Sequence, residues 1–201
     1  MSTIAKEPET SHVVLVHGFM DTGSVFKSLR RQLERNGHRC LAPNLRTRDA
    51  RNGIEPLAEH LRQEIEGQIP HQQSFSLIGF SMGGLVARHY LQQLDGAKRC
   101  ERLITISSPH QGTLMAWLHP SKGAQQMRPG SDFLKDLAST ESHLGEIPVI
   151  SYRTPLDLMI LPSRSSEWQR ATNLSFKVFL HPMMPNAKSV IADITKRLRE
   201  D

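Results

Sequence analysis

Cysteine is scarce: the 201 residues hold two, Cys40 and Cys100, and neither sits in a CxxC pair or a metal-ligand spacing. No apolar stretch approaches the ~20 residues of a membrane span. The polar segment 1–10 has no apolar core of a secretory signal. Together these absences predict a cytoplasmic protein with reduced thiols. Internal repeats, low-complexity tracts and linkers rich in Pro, Gly or Ser are also missing. The length suits one domain with one sizeable core over 1–201, with 1–11 as a flexible N-terminus. There is no HExxH, no P-loop and no G-x-G-x-x-G after a strand, so no cofactor and no metal is expected. Charge is only modestly one-sided, +5 from 25 basic and 20 acidic residues. It is spread along the chain, which argues against nucleic acid as a partner. Two readings of the excess stand: solubility, or attraction to anionic membrane surfaces and acidic substrates.

What the chain does have is apolar content of 38% against 22% charged residues, the balance of an ordinary folded protein. It also has a rhythm of short apolar run, loop and amphipathic helix. His12–Val16 (HVVLV) reads as a strand buried on both faces. A helix follows over 24–36, with Val25, Phe26, Leu29 and Leu33 on one stripe and Gly37 placed to end it. Further strands are expected at 39–42, 74–79, 103–106, 148–152 and 175–180. Helices are expected over Glu55–Gln68, 82–94 and 186–199. Strands alternating with helices imply a parallel sheet covered on both faces. Such sheets carry their chemistry on loops beyond the carboxyl ends of the strands.

One such loop holds GFSMGG at 79–84. G-x-S-x-G alone is weak, since chance gives roughly one match per fifteen chains of this length. Its context is what counts, between an apolar strand and an amphipathic helix. That is the setting of a nucleophile elbow, which forces a serine into a strained backbone conformation. Side chains two positions before and after the serine would collide, which accounts for Gly79 and Gly83. The helix starting there points its N-terminal dipole at Ser81. Acyl transfer also needs two N–H groups for the oxyanion, one of them from the residue after the nucleophile, here Met82.

His17-Gly18 after the first strand, taken with GFSMGG, resembles the lipase and esterase branch of the α/β-hydrolase superfamily. The stretch from Ser107 to Thr113 (SSPHQGT) is similar to the T-P-H-x-G-T loop of lipases. MRPGSDFL at 127–134 and TPLDLMILP at 154–162 resemble two further lipase segments. The likeness extends over about 12–199. It implies a minimal α/β-hydrolase: a mostly parallel sheet of about six strands, helices on both faces and no large cap domain. It implies an open site like that of small lidless bacterial lipases, with the Phe19 N–H as second oxyanion donor. The family order of Ser, then acid, then His puts the base late in the chain. Of the ten histidines, His110, His119, His143 and His181 follow Ser81 outside its helix. His181 alone stands just past the last expected strand. Asp157, after the strand before last, is the expected acid, with Glu167 as runner-up and Asp132 and Asp136 poorer choices. His110 becomes a structural loop residue.

The expected activity is hydrolysis of carboxylic esters, lipid acyl esters first, through an acyl-enzyme. A thioesterase or acyltransferase with the same residues is the alternative. A non-catalytic binding protein of the same fold is a third, disfavoured because all three members of the set are present in order. Six of the eight methionines neighbour the loops just named, among them Met20, Met115, Met159 and Met183. With Leu114 and Leu158 they are candidates to line an acyl groove. The other reading, that they are loop undersides packed on the core, stays open. The apolar run 158–161 favours a lipid-facing surface and peripheral membrane contact. Oligomeric state is not legible.

Overall fold

The computed structural model describes residues 11–199. The expected flexible N-terminus therefore falls, apart from Ser11, outside the described residues. Six strands form one parallel sheet: β1 (His12–Val16), β2 (Arg39–Leu41), β3 (Phe75–Phe80), β4 (Cys100–Ile106), β5 (Val149–Arg153) and β6 (Thr172–Ser175). Their spatial order is β2-β1-β3-β4-β5-β6. This is the α/β-hydrolase architecture that the sequence predicts. No cap domain covers it among the described residues.

The two-residue period of the strands sorts the core into two layers. Val14, Val16, Phe75, Leu77 and Leu103 face one way. They meet Leu57, Leu61 and Ile65 of α2 (Glu55–Gln68) and Leu85 and Val86 of α3 (Met82–Gln93). Val13, Leu15, Ile78, Phe80, Ile104 and Ile106 face the other way. They meet Leu29 and Leu33 of α1 (Lys27–Arg35) and, after the short helices α4 (Lys122–Gln126) and α5 (Asp132–Ser139), Val190 and Ile194 of α6 (Lys188–Arg197). Both faces of the central strands are covered, which is why β1 reads as an unbroken apolar run and β3 and β4 as mostly apolar ones.

The last strand is a correction. The alternating stretch 175–180 was the expected strand, yet β6 ends at Ser175. Its partner β5 ends at Arg153, just ahead of Thr154 and Pro155. The Phe176 N–H still reaches the Arg153 carbonyl, at 2.9 Å. Beyond that point no strand is left to pair with. Phe176 and Val178 pack on the core, and the Thr154 hydroxyl donates to the Val178 carbonyl at 2.6 Å. The alternation recorded packing without a ladder. The helix expected over 24–36 likewise begins as a 3₁₀ turn, Gly23–Phe26, before α1.

Candidate active site

Ser81 lies between β3 and α3 with φ 53° and ψ −126°, in the left-handed region that non-glycine residues avoid. Its N–H is tied to the Ile106 carbonyl at 2.8 Å. The crowding that demands glycine is specific. A Cβ on Gly79 would stand 2.5 Å from the Gly84 Cα, and one on Gly83 would strike the Val16 carbonyl oxygen. The turn is thus wedged between β1 and α3, and the hydroxyl-bearing residue is raised at the carboxyl edge of the sheet.

His181 begins a short 3₁₀ turn (His181–Asn186) and is buried. Its ring lies 4.8 Å from that of Phe80, the residue before Ser81. Its Nδ1 is 2.8 Å from Asp157 Oδ2 and 3.1 Å from Oδ1. Asp157 Oδ1 also accepts the N–H groups of Met159 (2.9 Å) and Ile160 (2.8 Å). Burial alone pushes this carboxyl up. The hydrogen bond and charge of His181, with the two backbone N–H groups, outweigh that and hold it below the usual aspartate value. The carboxylate is therefore ionised and accepts Nδ1–H, which leaves Nε2 as the free nitrogen of the ring.

The loop after β1 is built around His17. Its Nδ1 donates to the Gly18 carbonyl at 2.9 Å, and its Nε2 accepts the Leu45 N–H at 2.9 Å. Burial lowers its pKa, so the imidazole is a neutral brace. Gly18 has no room for a side chain, since a Cβ there would sit 3.0 Å from Ser81 Cβ and 3.3 Å from Asp21 Oδ2. The backbone of the loop thus passes directly beside Ser81. The N–H groups of Phe19 and Met82 make no hydrogen bond among the described residues. Met82 opens α3, where N–H groups lack intrahelical acceptors.

The remaining candidates separate. Glu167 pairs with Arg153 at 2.7 Å. Asp132 and Asp136 lie on α5, Asp132 paired with Lys135 at 2.9 Å. His110 is buried between the Arg88 guanidinium (3.3 Å) and the Thr105 hydroxyl (3.0 Å). Burial and Arg88 push its pKa well down, so it is a neutral structural residue. Both thiols are pushed up to about 12 by burial, which removes them as nucleophiles.

Two features escaped sequence reading. Asp21 places a second carboxylate beside Gly18, and burial raises its pKa. Four residues after His17, it carries no motif of its own. Arg88 is a fully buried cation on α3, held by the Leu137 carbonyl (3.0 Å), Glu141 (3.1 Å) and the Trp168 ring (4.0 Å). A lone arginine in a helix with no other Lys, Arg, Asp or Glu was the available signal.

The groove candidates divide. Met20, Leu114, Leu158, Met159 and Met183 are exposed and Met115 is partly so. Met82, Ile160 and Met184 are buried in the core. Every exposed large hydrophobic side chain among the described residues lies on the connections that leave β1, β4, β5 and β6 at their carboxyl ends; Leu118, Phe179 and Leu158 are the most exposed. Such clustering is unusual for a soluble surface, where exposed apolar residues scatter. No helix among the described residues is long and apolar enough to cross a membrane.

Residues 11–181 match the alpha/beta hydrolase fold family, and the chain belongs to it. It is similar to the lysosomal thioesterase PPT2 of Homo sapiens, 29% identical over 118 residues, 54% of this chain and 39% of that protein. The mouse (Mus musculus) counterpart is 28% identical over the same length. The matched segment thus spans well under half of these relatives. Among solved structures, Bacillus licheniformis lipase BlEst2 in mature form superposes with a TM-score of 0.74 at 17% identity, covering 98% of this chain and 95% of that one. Aspergillus fumigatus lipase B gives 0.82 at 17% identity, covering 96% and 53%. These likenesses are of fold.

Proposed function

We propose that the chain is a serine hydrolase that cleaves carboxylic esters of lipid-like acyl groups. The observation that carries this reading is the strained Ser81 at the strand–helix turn, with a buried His181–Asp157 pair at the same edge of the sheet. Ser81 Oγ attacks the acyl carbonyl as His181 Nε2 takes its proton. Asp157 holds the ring and stabilises the imidazolium. The Phe19 and Met82 N–H groups receive the oxyanion, an interaction that strengthens as charge develops. The leaving alcohol takes the proton from His181, an acyl-enzyme remains, and water attacks it with His181 again as base. The triad chemistry calls on no metal or cofactor.

The apolar rim supports an acyl chain as the substrate's main handle, and its contact with a lipid surface as the route of entry. Hydrolysis of p-nitrophenyl esters from short to long acyl chains tests both. Activity is expected to rise with chain length. Leu158→Ser is expected to lower kcat/KM on long chains by roughly ten-fold and leave short chains unaffected, the cost of one exposed contact of leucine size. A flat chain-length profile, with Leu158→Ser silent throughout, contradicts the acyl reading. Thioester cleavage is a second reading, favoured by the likeness to a thioesterase. Matched oxygen-ester and thioester substrates separate the two by their kcat/KM.

A further inference from the structure

A cleft lies away from Ser81, along the outer seam between α1 and α6. It measures about 740 Å3, within the roughly 300–1,000 Å3 of small-molecule sites. Its walls bring together Arg31 and Arg35 of α1 with Lys188, Lys196 and Arg199 of α6 and its end, and among the described residues no carboxylate lines it. The acidic residues of these helices are turned elsewhere. Glu34 pairs with Arg30 at 2.7 Å, and Asp193 with Arg197 at 2.6 Å and the Tyr152 hydroxyl at 2.6 Å. Arg31, Arg35 and Lys188 make no ion pair or hydrogen bond among the described residues. Like charges gathered this closely repel.

The cleft is also bounded. Asn186 closes one end, donating to the Val25 carbonyl at 2.8 Å and accepting the Ser28 N–H at 3.2 Å. Arg199 closes the other by donating to the Asn36 side-chain carbonyl. Between them lie the side chains of Ile191 and Ala192 and the buried Thr195, whose hydroxyl has no hydrogen-bond partner.

We infer that this seam binds a soluble phosphate-bearing molecule of about nucleotide size, through two adjacent phosphates. Paired arginines one turn apart present forked donors that match phosphate oxygens. The lysines add charge, and the small apolar floor takes the rest of the ligand. The site is separate from Ser81, so the inference does not depend on the hydrolase reading.

Isothermal titration of the full chain with pyrophosphate and with inorganic phosphate, at low salt, tests this. The expected result is one saturable site, tighter for pyrophosphate. Arg31→Gln with Arg35→Gln is expected to weaken it at least roughly ten-fold while ester hydrolysis stays unchanged. Lys188→Gln, with a smaller loss in the same direction, serves if the double variant melts early. Absence of saturable binding, or binding that both variants leave intact, overturns the inference. So does pyrophosphate-independent flotation with anionic phosphatidylserine vesicles that the arginines alone control, which would make the patch a membrane contact.

Discussion

Ser81→Ala is expected to lower kcat on an activated ester by roughly 10⁶, with KM and thermal stability little changed. The size follows from the roles assigned here. Removing the nucleophile leaves only the oxyanion donors and the binding surface, which on their own retain a small residual rate over water. The fold should survive, because alanine takes the serine's place at φ 53° without a new clash. The wedge that shapes the turn comes from Gly79 and Gly83 and not from the hydroxyl. Measured kcat within ten-fold of wild type would remove Ser81 from the chemistry altogether.

Asp157→Asn is expected to cost roughly 10⁴ in kcat at neutral pH. An asparagine Oδ1 can keep the Met159 and Ile160 N–H groups, so the loop stays in place. That leaves its NH2 group facing His181 Nδ1, which must then accept. The ring proton moves to Nε2, and a protonated Nε2 cannot take the proton of Ser81. The defect is one of tautomer and not of folding. A Tm close to wild type with the rate lost is the expected pattern. A collapse of Tm with no specific loss of kcat would make Asp157 a loop brace alone.

Most of the fold could be read from residues because buried parallel strands need mostly apolar runs, and β1, β3 and the second half of β4 have them. Helix α2 was legible to its ends, since Leu57, Leu61 and Ile65 repeat at helical spacing. The elbow was legible because glycine is demanded on both sides of one serine for steric reasons. The last strand was not. Phe176 and Val178 alternate inward with or without a hydrogen-bonded neighbour, and only the end of β5 decides which. The pairing of His181 with Asp157 was expected from chain order, while the two backbone N–H groups that hold the carboxylate were not, since they depend on how the loop closes after Asp157. Nor was the brace at His17, because a buried neutral histidine looks like any other in sequence. The methionines show the same limit. Met183 and Met184 are neighbours in sequence, yet one is exposed and the other fully buried.

The most direct test of the central claim is labelling with a fluorophosphonate, followed by peptide mass spectrometry. It reads nucleophilicity at one atom and is indifferent to which ester the protein prefers. The account expects a single phosphonyl adduct on Ser81, formed fast in wild type, strongly slowed in His181→Ala and absent in Ser81→Ala. Wild-type protein that is folded yet unlabelled, or labelled elsewhere than Ser81, would contradict it.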